Sequence, residues 1–327
     1  MIDMTGDLTN RERLLDAFKG CVMGHAIGDA LGHPVEFLDR RTIIEKYGEL
    51  GAVTSFQPPT SMPAGSFTDD TQMALAIMEA LIDVGDKSLP LIMDKIAANF
   101  ILWERDKTTY LRAPGNTCLS GVKLLQQGLH WSESGQNNSK GCGTAMRTPP
   151  IGLAYLNNIR KLFAVAKYSS EMTHGNSAAA AGGIAVAYGV SLAVRQTPVN
   201  KWPELMADII KPVCQQTSHY IRSVPESLAL EEWRAVEKLG KGWTADEAVG
   251  VALHAFLRGK NNFTKVMDLA VNHDGDSDST GCIAGAWYGA FHGVSKLPPD
   301  LVRDVEDSDL LMQKADKLFQ RTFDIIH

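Results

Sequence analysis

The sequence predicts an all-α protein, and three observations lead there. Apolar residues recur with helical spacing, as at Met73, Ile77 and Leu81, where every fourth position falls on one buried face. Alternating strand patterns are scarce, with Ala52 to Phe56 the best short candidate. Glycines stand four apart in two series, Gly20, Gly24, Gly28 and Gly32, then Gly281, Gly285, Gly289 and Gly293. Spacing by four places each series on one slowly drifting helical stripe.

The elements follow in chain order. The first glycine series predicts a helix ending near Glu36. A second helix opens after Thr68, Asp69 and Asp70, residues that cap helix N-termini and complement the helix dipole. Segments 90–103, 159–172, 177–195, 203–222, 226–239, 244–258 and 308–325 also read as helices, several opening at Ser, Thr, Asp or Pro. The second glycine series marks a further helix. Glycine costs about 1 kcal/mol per interior helix position relative to alanine, so both series need compensation, and close backbone packing supplies it. If the two stripes face one another, Glu36 is carried towards Asp276 and Asp278; the alternative is that each packs on some other helix.

Composition bounds the class. The chain has 327 residues, 44% hydrophobic and 21% charged, enough for a large core. Length alone favours about two domains, but no linker-like tract or repeat divides the chain, and the acidic segments must cooperate across it. One domain over residues 1–327 is therefore expected, with residues 1–19 a candidate N-terminal arm. A formal charge of −6 and the absence of Lys/Arg runs argue against nucleic acid as a partner. The residues Met1 to Arg13 do not resemble a signal peptide, and Cys282 to Val294 is too short to span a bilayer. No membrane partner is expected. The five cysteines are scattered without a C-x-x-C, pointing to a cytoplasmic location rather than a disulfide framework or zinc site.

Two acidic segments carry the chemistry. Thr68-Asp69-Asp70-Thr71 and Asp274-Gly275-Asp276-Ser277-Asp278-Ser279 offer carboxylates and hydroxyls, a donor set suited to hard cations such as Mg²⁺ or Mn²⁺. The second is not an EF-hand: counting from Asp274, Ser279 stands at position six and Gly285 at position twelve, where that loop needs Gly and Glu. Gly141, Cys142, Gly143, Thr144, Ala145, Met146 and Arg147 form a loop suited to an anion, with glycines turning backbone amides outward and Arg147 adding charge. It lacks the Lys-Ser/Thr ending of a P-loop. Asn116 suggests a further ligand contact. His174 lies between two helices, where capping or core roles are the ordinary alternative. Asp29 reads as a buried partner for a polar group, and Cys142 is not read as a nucleophile.

Taken in order, GCVMGHAIGDALGHPVEF, FTDDTQMALAIMEAL, PGNT, GCGTAMRTPPIGL, THGNSAAAAG and NHDGDSDSTGCIAGAWYGA resemble the ADP-ribosylglycohydrolase family over nearly the full chain. The resemblance implies a compact orthogonal helical bundle with a binuclear Mg²⁺ or Mn²⁺ site in a central cleft. It implies Thr68, Asp69, Asp70, Asp276, Asp278 and Ser279 as metal ligands, with Glu36 and Asp70 catalytic. It implies Asn116, Gly141, Gly143, Thr144, Met146, Arg147 and His174 as substrate contacts. The expected reaction is hydrolysis of the N-glycosidic bond between ADP-ribose and a protein acceptor, foremost arginine. The expected partner is an ADP-ribosylated protein. The alternative is an immunity or ADP-ribose-binding protein that neutralises an ADP-ribosyltransferase toxin, for which residues 1–19 would be the arm. Asp274 replaces a commoner small residue and is expected to add charge near the metals. A class I terpenoid synthase is disfavoured, because Asp69-Asp70 is not continued as D-D-x-x-D.

Overall fold

A computed structural model describes residues 8–59 and 62–326. Among them are sixteen α-helices, several short 3₁₀ turns and no β-strand. The two isolated bridges, Gln136 with His174 and Gly141 with Thr244, join loops instead of building a sheet. The all-α expectation holds.

The two glycine helices, Arg11–Gly32 and Ser277–His292, form the axis of the fold. They run antiparallel: Gly20 faces Gly289, Gly24 faces Gly285, and Gly28 faces Gly281. A Cβ on Gly24 would stand 2.8 Å from the Gly285 carbonyl carbon, inside the 3.4–4 Å of ordinary contact. Only a bare stripe on each helix permits this approach. The pairing places the exit of the first helix beside the entry of the second, and that is where the acidic residues lie.

Helices Asp69–Val84, Pro149–Ala154, Ser177–Val194, Ala245–Gly259, Phe263–Val271 and Ser308–Ile326 pack around this pair. Ser177–Val194 is long and apolar enough to cross a membrane, yet every residue from Ala178 to Val194 is buried inside the protein. It is the most enclosed helix of the core. Trp202, Trp287 and Phe256 pack together beside it, with Trp202 stacked on Phe256 at 4.8 Å.

Three expected elements differ. Segment 203–222 is two helices, Trp202–Ile210 and Gln215–Ser223, because Pro212 lacks an amide hydrogen and cannot continue the first. Segment 226–239 begins as the 3₁₀ turn Val224–Ala229. It becomes α-helical only at Glu232, after Glu231 accepts from the Trp233 and Arg234 amides. Ala52 to Ser55 is turn and bend and Phe56 has no regular structure, with the Ala52 amide donating to Asn272 Oδ1 at 3.0 Å. Of the candidate arm, residues 1–7 lie outside the described residues, and Arg11 already starts the first glycine helix.

Candidate active site

The two acidic segments meet. Ser279 Oγ donates to Asp70 Oδ2 at 2.9 Å, a contact between residues 209 positions apart. Ligand-type oxygens of Glu36, Asp276 and Asp278 lie within 4.8 Å of one another. Glu36 follows a 3₁₀ turn, His33–Val35, that redirects the chain after the first glycine helix; its amide still donates to Gly32 O at 3.0 Å. Asp69 and Asp70 open their helix and Asp276 caps the other, accepting from Ser279 N at 3.3 Å. Asp278 Oδ1 accepts from the same amide at 2.9 Å. Capping and cluster formation are therefore done by the same residues: helix N-termini, with their positive dipole ends, hold the carboxylates together.

Asp29 organises one side of the cluster. It is fully buried. Its Oδ1 accepts from Thr68 N at 2.9 Å, and its Oδ2 accepts from Thr71 N at 3.0 Å and Thr71 Oγ1 at 2.6 Å. One carboxylate thus satisfies orphan donors at the start of the Asp69–Val84 helix. Thr68 Oγ1 accepts from Asp70 N at 3.2 Å and so caps the same helix start.

Burial and crowding set the electrostatics. Glu36 and Asp69 are each pushed up to about 8, first by burial and then by neighbouring carboxylates, Asp276 foremost for Glu36 and Asp29 foremost for Asp69. Asp70 and Asp278 are raised well above the ordinary range for the same reasons, and burial raises Asp276. Among the described residues, none of these five carboxylates is in an ion pair with Lys or Arg. Cys142 Sγ sits 2.7 Å from Asp276 Oδ2, and burial followed by that carboxylate keeps the thiol protonated. The donor set of carboxylates and hydroxyls, buried without a protein cation, fits a hard divalent cation.

The glycine loop covers the cluster, but not as an open cradle. The Cys142 amide donates to Trp243 O at 3.2 Å, and the Ala145 and Met146 amides donate to Cys142 O. Thr144 is buried with its hydroxyl on Ala179 O at 2.7 Å, and the buried Met146 gives its carbonyl to His25 at 2.7 Å. Gly141 and Gly143 pack on His174, where a Cβ on either would come within 3.0 Å of the imidazole. His174 is itself buried, with Nδ1 at 2.8 Å from Thr173 Oγ1, and burial lowers it to about 3. It supports the loop as a neutral ring. Asn116 is exposed at the start of the helix Asn116–Gln126, and the preceding Gly115 amide donates to Asp69 Oδ2 at 3.3 Å.

Two expectations fail. Arg147 does not face the cleft. It is fully buried, with Nη2 donating to Ser169 O and Thr173 Oγ1, both at 2.7 Å, and its guanidinium 4.8 Å from the Phe100 ring centroid. The loop's sequence placed it near an anion; the turn Cys142–Thr144 directs it inward. Asp274 points away from the cluster: it is exposed, and its Oδ1 accepts from Arg40 N at 2.7 Å. At the rim, exposed Phe37 and exposed Trp243 stack at 5.1 Å, a pair that no sequence pattern announces. Phe37 has φ of 69°, uncommon for an aromatic residue.

The family model described as ADP-ribosylglycohydrolase matches residues 10–324. The chain belongs to the ADP-ribosylglycohydrolase family. A protein of Archaeoglobus fulgidus, itself uncharacterized, is 30% identical over 93% of this chain and 96% of its own. ADP-ribosylarginine hydrolase Tri1 of Pseudomonas putida is 26% identical over 95% of this chain and 80% of its own. A solved structure titled ADP-ribosylglycohydrolase-related protein complex superposes with a TM-score of 0.78 at 25% identity, covering 95% of this chain and 99% of that one. Membership places the chain among hydrolases of glycosidic bonds.

Proposed function

We propose that this protein hydrolyses the N-glycosidic bond between ADP-ribose and an acceptor, with protein arginine the foremost acceptor. The observation that carries the reading is the convergence of half-buried Glu36 with buried Asp69, Asp70, Asp276 and Asp278 in one cluster beneath the glycine loop, with Ser279 bridging the two acidic segments. Family membership supports the reaction class, and the name of the Pseudomonas relative supports arginine.

Thr68, Asp69, Asp70, Asp276, Asp278 and Ser279 are the residues that would hold two divalent cations, Mg²⁺ or Mn²⁺. Bound there, such ions supply charge stabilisation and orientation of oxygen ligands at the reacting sugar. The protein's own groups do the rest. Glu36 stands at the half-buried edge of the cluster, placed to orient a water against C1″ of the ribose. As the C1″–N bond lengthens, the sugar gains oxocarbenium character, which the surrounding carboxylates stabilise. The water oxygen joins C1″ as the C1″–N bond breaks, one water proton passes to Glu36 or Asp70, and that carboxyl returns it to the leaving guanidine nitrogen, so the site ends as it began.

The substrate is proposed to be an ADP-ribosylated protein, met in the cytoplasm by a single-domain enzyme. The test is release of free ADP-ribose from arginine-modified and serine-modified proteins, with Mg²⁺, Mn²⁺ or EDTA. Cation-dependent release from arginine is expected. Equal release in EDTA would overturn the cation assignment, and release only from serine would overturn the acceptor.

A further inference from the structure

We propose that Arg112 and Glu306 form a positioning clamp that fixes Asp69 within the acidic cluster; the inference rests on the cation reading above. Residues 66–68 have no regular structure, so their backbone groups must find partners elsewhere. This pair supplies both for Phe67. Arg112 Nη1 donates to Phe67 O at 2.6 Å, and Glu306 Oε2 accepts from Phe67 N at 3.3 Å. The two side chains also meet fork to fork, Nη1 to Oε2 and Nη2 to Oε1, both at 2.7 Å. The guanidinium lies 5.0 Å from the Phe67 ring centroid.

The same segments hold Asp69 directly. Arg112 O accepts from Asp69 N at 3.1 Å, and the amide of Gly115, three residues on, donates to Asp69 Oδ2 at 3.3 Å. Glu306 N donates to Gly65 O at 3.0 Å, tying the other end of the approach segment. Asp69 is therefore gripped from the 112–115 segment on one side, while the turn before the last helix, 194 positions away from Arg112, locks that grip.

The pair is more than a surface ion pair. The Arg112 and Glu306 side chains are only 14% and 27% exposed. A bidentate, charge-assisted contact in that setting holds geometry that a solvated pair does not. Lysine could not reproduce it, because one ammonium cannot present a planar fork to Glu306 while also donating to Phe67 O. Neither side chain is among the carboxylates of the cluster, so both act through Asp69. Carboxylates that bind a cation must be held to within about 0.5 Å, and groups that orient such ligands typically change metal affinity about 10- to 100-fold when removed.

The experiment compares the full-length protein with Glu306→Gln and Arg112→Lys by three readouts. Mn²⁺ affinity is measured calorimetrically, amide hydrogen exchange at Phe67 and Asp69 is followed in EDTA, and the urea midpoint reports folding. The clamp predicts a Mn²⁺ dissociation constant raised about 10-fold or more in both variants, at temperatures where they remain folded. It also predicts faster exchange at Phe67 and Asp69 than the change in global stability explains. Unchanged Mn²⁺ affinity in folded variants, with only the urea midpoint lowered, would reduce the pair to a structural contact and overturn the proposal. If the unmodified protein binds no Mn²⁺ or Mg²⁺, the cation reading fails on its own. The exchange readout then decides the clamp, and unchanged local exchange overturns it.

Discussion

Gly28→Ala tests whether the glycine helices hold the acidic cluster together. A Cβ on Gly28 would stand 2.8 Å from Cys282 N, and nearer still to the Gly281 carbonyl, where ordinary contact begins at 3.4 Å. Both neighbours are backbone, so no side chain can turn aside; the helices must part by more than half an ångström. At about 0.15 kcal/mol per atom pair, loosening roughly 60 pairs by a quarter gives up about 2 kcal/mol. That agrees with overpacking costs of about 1–3 kcal/mol. Alanine returns about 1 kcal/mol through helix propensity. The net expectation is a loss of about 1 kcal/mol in urea unfolding followed by circular dichroism. Because Glu36 follows one helix and Asp278 opens the other, Mn²⁺ affinity should fall as well. A variant as stable as the parent, or more stable, would refute the packing argument, since propensity alone predicts a gain.

Other expectations follow from named contacts. Asp29→Asn puts an amide NH₂ against the Thr68 or Thr71 donors and should cost about 2–3 kcal/mol in urea unfolding; an unaltered midpoint would contradict Asp29 as the organiser of that helix start. Arg147→Met removes a fully buried cation with its hydrogen bonds. It should shift stability while leaving ADP-ribose affinity of the folded protein unchanged by calorimetry, and a selective affinity loss would restore the anion-binding expectation. In EDTA, Glu36 and Asp69 hold protons up to about pH 8 when folded but release them near their ordinary values of 4.5 and 3.8 when unfolded. The folded state thus binds more protons between those limits, so stability should fall as pH rises from about 4.5 to 8. Unfolding midpoints at pH 5.5 and 8.0 check the sign, and Glu36→Gln should flatten the slope.

Much of this arrangement was legible in the sequence because it is written in local patterns. Spacing by four betrayed the glycine stripes, and capping residues betrayed the acidic helix starts. The facing of the two stripes could be posed as one of two alternatives, and the carboxylates' convergence follows from it. What escaped depended on direction within a turn. GCGTAMR looks like an anion loop, yet its 3₁₀ turn sends Arg147 inward and spends several amides internally. Asp274 differs from Asp276 only by position along a bend, but Arg40 draws it outward. Phe37 takes a left-handed backbone conformation that no periodicity announces. Arg112 and Glu306 are unremarkable in sequence and meet only through the packing of the last helix. Short helices such as Arg40–Tyr47 and Phe263–Val271 have too few turns to display a helical period, and Pro212 interrupts a pattern that otherwise reads as continuous.

The central claim, that the paired glycine helices and the Asp69–Val84 helix assemble a two-cation centre, is tested most directly by counting bound ions. Mn²⁺ stoichiometry of the EDTA-stripped protein, measured by calorimetry with electron paramagnetic resonance, should reach two per chain with a magnetically coupled pair, and Asp278→Ala should lose the pair while remaining folded. No Mn²⁺ or Mg²⁺ binding by the folded parent, or full and unchanged binding by Asp278→Ala, would contradict it.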